Sequence, residues 1–250
     1  MDNLEYSPSA LHFELFDAAY SGKLNRFKRL ALDHAKAEGI GVGEAIRKLV
    51  DECGRGSLHI AAVGGSLNVC KYLLETLKID VDSKDRSGHT PLYHAIVKGH
   101  LDTVRYLVEK GANPDASNDK TFTPLHYAAK SGDTKIITLL LSRGVHVDAA
   151  ISTGTALQHA AGHGHPDAVK LLLDHGANPN GVNCQCMLRP LIVTILCESW
   201  ECMELLLQAG ADPNAVSSGN TPLAVAARDK SVDVVTRLLE AGADPNYKMN

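Results

Sequence analysis

The chain has 250 residues, 44% of them hydrophobic but only 5% aromatic, with 25 basic against 29 acidic side chains. A net charge of −4 supplies no global basic field for nucleic acid, so such binding would need a local patch. No run of 18 apolar residues exists to cross a membrane as a helix, and the acidic start Met1-Asp2-Asn3-Leu4-Glu5 lacks the basic and apolar regions of a signal peptide. The six cysteines stand unevenly and form no disulfide framework, so the expected setting is the cytoplasm, with the nucleus as a second location.

In chain order, residues 11–30 predict a first helical pair, with Leu15 as apolar anchor, the small pair Ala18-Ala19 and a turn at Gly22. The segment Gly43–Glu52 sets Ile46, Leu49 and Val50 on one face and predicts an extra helix. Residues 1–52 are thus read as a helical N-terminal cap containing a divergent repeat. A pattern then recurs: an anchor Leu, a turn seven residues on, and a Leu-rich segment closed by Gly. The anchors are Leu58, Leu92, Leu125, Leu157, Leu191 and Leu223, spaced 34, 33, 32, 34 and 32 residues apart. Six repeats follow at 53–82, 83–115, 116–148, 149–180, 181–214 and 215–246, and 247–250 reads as the start of a further finger, cut short.

Each repeat predicts two helices. Thr90-Pro91, Thr123-Pro124 and Thr221-Pro222 open the first, the hydroxyl capping free N–H groups and Pro fitting the first turn. Small pairs such as Ala61-Ala62 and Ala128-Ala129 let neighbouring helices approach closely, and Gly65, Gly99, Gly132 and Gly164 end the helix in left-handed backbone. Val104, Leu107 and Val108 trace the apolar face of a second helix. The turn-rich stretch after it, such as Asn113–Asp119, predicts a projecting finger. The fifth repeat departs most: Arg189 stands where others have Thr, and Glu198-Ser199-Trp200 replaces the Gly-His turn. In the sixth, Arg237 occupies a column that holds Tyr72, Tyr106, Leu139, Leu171 and Leu205 earlier, and reads as a concession to solvent.

A period near 33 carrying Thr-Pro-Leu-His-x-Ala, as in Thr123-Pro124-Leu125-His126-Tyr127-Ala128, resembles the ankyrin repeat. The resemblance covers residues 53–246. It implies an all-α repeat solenoid of helix-turn-helix repeats with β-hairpin fingers, in which each repeat depends on its neighbours to bury its apolar face. The cap and the Gly-Ala-Asp-Pro-Asn closings resemble plant proteins that join an ankyrin array to a C-terminal tetratricopeptide domain, although no tetratricopeptide pattern stands within these residues. The function implied is a non-enzymatic protein-interaction module or adaptor. The alternative is a targeting or regulatory portion of an enzyme complex (ligase, kinase or phosphatase) with catalysis elsewhere.

The residues that suggest chemistry are mostly absorbed by the repeat. Gly39-Ile40-Gly41-Val42-Gly43 lacks the ending of a P-loop, and Ser21-Gly22-Lys23-Leu24 has no hydroxyl after its Lys. Cys184, Cys186, Cys197 and Cys202 gather in one repeat, but the first two fall roughly 10–15 Å from Cys197 at helical rise, too far to share a zinc. His159 and His163, spaced i, i+4, offer a face for metal, whereas His165 is expected to make local hydrogen bonds, and His59 and His126 to bond backbone within the stack. The expectation is no catalytic residue, no metal and no cofactor.

The resemblance implies that a partner touches the finger tips and the inner face of the first helices. That carries over to Arg55, Lys84, Arg86, His89, Lys98, Lys120, Phe122 and Lys130 as a largely basic half, and to Ile151, His163 and Leu188 in an apolar half, with Phe122 and Leu188 as anchors. The expected partner is an acidic protein segment bearing a hydrophobic anchor, with no nucleic acid and no membrane, and the chain itself is expected to be a monomer. The bland alternative is that the surface Lys and Arg only solubilise the stack.

Overall fold

A computed structural model describes residues 8–115, 122–182, 188–228 and 231–247, and the chain divides into two compact units, Met1–Asn118 and Asp119–Asn250.

The first unit contains α1 (Pro8–Tyr20), α2 (Leu24–Glu38), α3 (Val42–Lys48), α4 (Ser57–Val63), α5 (Leu67–Lys71), α6 (Pro91–Val97) and α7 (Leu101–Glu109), with a π-helical turn at Tyr72–Thr76 continuing α5. Helices α1, α4 and α6 pack in succession, and each pairs with the helix that follows it in its repeat. Leu15, Ala18 and Ala19 have no exposed surface, so the cap repeats the anchor and small pair of the later repeats. The extra helix is shorter than its sequence suggests. It ends at Lys48 because Leu49 is already extended, and Val50 forms a bridge with Gly56. Of the expected apolar face, Ile46 and Leu49 are buried while Val50 is half exposed.

The second unit contains α8 (Pro124–Ser131), α9 (Thr134–Leu141), β1 (Ala150–Ile151), β2 (Gly154–Thr155), α10 (Ala156–Gly162), α11 (Pro166–Asp174), α12 (Pro190–Leu196), α13 (Trp200–Gln208), α14 (Pro222–Arg228) and α15 (Val232–Glu240). First helices α8, α10, α12 and α14 form one layer and second helices α9, α11 and α13 another. Leu125, Leu157 and Leu191 are at most 2% exposed, each contributing about 2 kcal/mol by burial.

Three ladders of polar contacts lock successive repeats. In the column one after the anchor, His59 Nε2 donates to the carbonyls of Ser83 and His89, and His126 Nε2 to that of Gly154, while Gln158 Nε2 donates to the Leu188 carbonyl. The same side chains accept a backbone N–H at the start of their own helix, from Gly56, Thr123 and Thr155. A neutral ring with its proton on Nε2 satisfies both demands, and protonation would set an Nδ1–H against an N–H. The backbone role expected of His59 and His126 is therefore met.

A second ladder crosses the helix turns. His100 Nε2 donates to the Val63 carbonyl and His165 Nε2 to that of Lys130, both at 3.0 Å, while Ser66 Oγ donates to that of Tyr20 at 2.7 Å. The role of His165 is thus between repeats and not local. Glycine is required beneath these rings: a Cβ on Gly65 or Gly132 would lie 2.7 Å from the next ring, and both residues have φ near +70°. The third ladder joins the fingers, where the Asn113, Asn178 and Asp212 amides donate to Asp82, Asp148 and Asn180 side chains.

The fingers are tighter than the hairpins expected. Among the described residues, strand pairing is limited to Ala150↔Thr155 and Ile151↔Gly154, with isolated bridges at Val50↔Gly56 and Ser217↔Asn220. In the finger before α6, the Asp85 carboxylate takes the Ser87 and His89 amides that a longer strand pair would use. Arg237 ion-pairs with Glu204 of the preceding repeat, so its column still bridges repeats although the side chain is exposed.

Candidate interaction surface

In the first unit, the finger before α6 and the start of α6 gather Asp85, His89, Tyr93 and His94 beside His59. The Asp85 carboxylate, only 4% exposed, lies 2.9 Å from His94 Nε2 and 3.6 Å from His89 Nδ1. Burial pushes the Asp85 carboxyl up, but the His89 and Ser87 amides and the His94 ring outweigh it and hold it below the usual carboxylate range. Burial lowers His94, with Asp85 partly opposing, and lowers His59 likewise. The His89 ring stacks on Tyr93 at 3.8 Å and 13°.

The basic residues expected on this face divide into two kinds. Arg55 ion-pairs with Asp51 at 2.8 Å, and the Arg86 guanidinium donates to the Glu52 carbonyl, so both brace the loop before α4. Lys84 and Lys98 are exposed and make no ion pair with any described residue. They are the free charges of the face.

In the second unit, the half-buried Phe122 centres an aromatic patch. Its ring lies 4.7 Å from Tyr127, 4.6 Å from His159 and 6.0 Å from His126. Lys130 Nζ sits 5.5 Å from its centroid, a distance suited to cation–π attraction. Phe122 is therefore held in place by its neighbours. His159 Nε2 is 3.1 Å from Thr153 Oγ1, and burial, together with His126, His163 and Lys130, holds the ring down at about 4. It stays neutral at physiological pH.

The other expected residues surround this patch more loosely. Ile151 is half-buried on β1, Leu188 is half-buried before α12, and His163 is exposed at the end of α10. His163 Nδ1 donates to the His159 carbonyl, and the two rings are 6.4 Å apart and tilted, while His159 Nε2 faces Thr153. Among the described residues, no three His, Cys, Asp or Glu side chains assemble as a metal site. Lys120, Cys184 and Cys186 lie outside the described residues. Cys197 is exposed and Cys202 buried, with burial raising the Cys202 thiol to about 11.

Tyr93, His94, Tyr127 and Asp85 were not among the expected surface residues. For His94 and Tyr127 the signal is positional: Ile60, His94, Tyr127 and His159 share the column two after the anchor. Aromatic and imidazole rings there are larger than the repeat's packing needs.

Paired short helices repeating in each unit, with rings gathered beside the fingers and exposed lysines near them, are the build of a protein-interaction repeat. The chain belongs to the ankyrin-repeat family. The family model for ankyrin repeats matches residues 15–118, 112–183 and 179–249. The human ASB11 ankyrin repeat domain aligns with a TM-score of 0.77 at 29% identity, covering 96% of this chain and 100% of that one. The B-cell lymphoma 3 protein homolog of Mus musculus is 32% identical over 73% of this chain and 43% of its own length. Protein phosphatase 1 regulatory subunit 27 of Homo sapiens is 36% identical over 36% of this chain and 62% of its own length. The matched stretches thus span less than two thirds of either relative.

Proposed function

We propose that the chain is a non-enzymatic adaptor that binds an acidic protein segment through the fingers and first helices. The observation that carries this reading is the patch of Phe122, Tyr127 and neutral His159 flanked by the exposed Lys130. It offers an apolar ring surface beside a cation, the pairing suited to an acidic segment with a hydrophobic anchor. Lys84 and Lys98, free of ion pairs with the described residues, present the same charge on the first unit. Lys120, Ile151, His163 and Leu188 complete the set.

A selection from a display library of short peptides tests this directly. The expected result is enrichment of acidic peptides with one aromatic or aliphatic residue, binding that weakens with salt, and loss of that binding when Lys98, Lys120 and Lys130 are together changed to Glu. Enrichment of neutral or basic peptides, or unchanged binding by the triple variant, would overturn it.

The second reading, a regulatory portion of an enzyme complex, draws its support from the similarity to a phosphatase regulatory subunit. It uses the same surface and differs only in what the bound partner or the remainder of the protein does.

A further inference from the structure

The helix turn between the fourth and fifth repeats lacks the covering ring of two of its sisters. So does the turn between the second and third, where Asp133 takes the column and caps its own helix, but only the former is lined by a tryptophan and carboxylates. Between the first and second repeats, the His100 ring covers the preceding turn and gives an N–H to the Val63 carbonyl. Between the third and fourth, His165 does the same for the Lys130 carbonyl. At the fifth repeat this column holds Ser199, whose hydroxyl turns to the Cys197 carbonyl at 3.4 Å and does not reach Gly162, the residue equivalent to Val63 and Lys130. No ring covers Gly164 either, where an added Cβ would find only Ser199 Oγ at 3.6 Å. The cap turn also has a Ser, Ser66, but that hydroxyl reaches Tyr20 and Asn68 Nδ2 reaches the Gly22 carbonyl, so its acceptors are engaged.

What remains is a groove of 390 Å³ lined by Gly162, His163, Glu198, Trp200 and Glu201 among others. Trp200, the single tryptophan of the chain, is 40% exposed. Neither Glu198 nor Glu201 forms an ion pair with any described residue, whereas Glu204, further along α13, is taken by Arg237. Gly162 has no side chain to cover its carbonyl. The groove therefore offers a backbone acceptor, two unpaired carboxylates and an indole face.

The two ring-covered turns show a shape and chemistry the position accepts: a planar ring that donates an N–H to the equivalent carbonyl. We infer that the groove binds an arginine side chain of a partner protein. A guanidinium is planar, donates to a carbonyl and to carboxylates in the same fork, and stacks on indole. The positions of Glu198 and Glu201 select a cation where the sister turns use rings of the chain itself. The groove lies at the helix-turn end of the repeats and shares only His163 with the residues assigned to the acidic segment, and the two sites bind opposite charges.

The unique Trp200 reports on the groove. Titration of the chain with N-acetyl-arginine amide, followed by the Trp200 indole N–H resonance and by emission, should give a saturable shift. The uncharged isostere N-acetyl-citrulline amide should bind at least about fivefold more weakly. Ser199→His, which restores the ring of the sister repeats, should abolish the response. Glu198→Gln with Glu201→Gln, both on exposed positions, should weaken it comparably even if the histidine variant folds poorly. Equal responses to arginine and citrulline probes, no saturable shift, or an undiminished response in the glutamine double variant would overturn the proposal.

Discussion

Two ring pairs in different units have the same geometry and different chemistry. His59 and His94 meet edge to face at 5.7 Å and 81°, and His126 and His159 at 5.7 Å and 79°. The repeat places both pairs in the same columns, one and two residues after successive anchors. What faces them differs: Asp85 lies against His94, while Phe122, Thr153 and Lys130 surround His159. One pair is built into a charged finger, and the other into an apolar patch with a cation at its edge. The scaffold fixes where the rings stand, and the residues of the finger decide what they do.

The largest test of that comparison is Asp85→Ala. It removes the acceptor of two backbone amides and of the His94 ring at a buried position, and should destabilise the first unit by about 3 kcal/mol. Urea unfolding followed by helicity measures it. Asp85→Asn, which keeps an acceptor oxygen, should lose less. A loss under about 1 kcal/mol in the alanine variant would show that the carboxylate does not organise the finger.

Acid should act next most strongly, and mainly through His159. An unfolded histidine titrates near 6.5, whereas native His159 is held at about 4. Between those values the unfolded chain binds more protons, so stability is full above pH 6.5 and falls as pH drops toward 4. His59, His94 and His126, also lowered, add to the same slope. His159→Phe should therefore recover on the order of 2 kcal/mol of the loss between pH 7 and pH 4.5. His94→Phe should recover less, because Asp85 already favours its protonated form. Equal recovery by both variants would remove the distinction between the two sites.

The smallest effect is expected at the fifth repeat. Glu198 takes the turn position that glycine holds in the four preceding repeats, with φ of 53°. Glu198→Gly should stabilise the second unit by about 1 kcal/mol in thermal or denaturant unfolding. No gain would mean that Glu198 makes a compensating contact.

Much of this was legible in the sequence, because anchor spacing and turn glycines follow directly from the packing of short helices. The columns of His59 and His126 could be assigned to backbone bonding for the same reason. The length of α3 was not legible: Ile46, Leu49 and Val50 fit a helical face, and only the bridge from Val50 to Gly56 ends the helix early. Nor was the engagement of Arg55 and Arg86, whose partners Asp51 and Glu52 are a local carboxylate and a carbonyl brought close by a finger 34 residues on. The turn ladder escaped because His100 and His165 reach back a full repeat, which no local pattern records. The opening left by Ser199 becomes visible only once those rings are in place.

The central claim is that binding runs through the fingers and first helices of the stack. Hydrogen exchange, with and without the acidic peptide selected by the chain, measures it most directly. The prediction is protection on binding over residues 84–98, 122–130 and 150–163, with the second helices α9, α11 and α13 unchanged. Protection confined to those second helices, with none over residues 122–130, would contradict it.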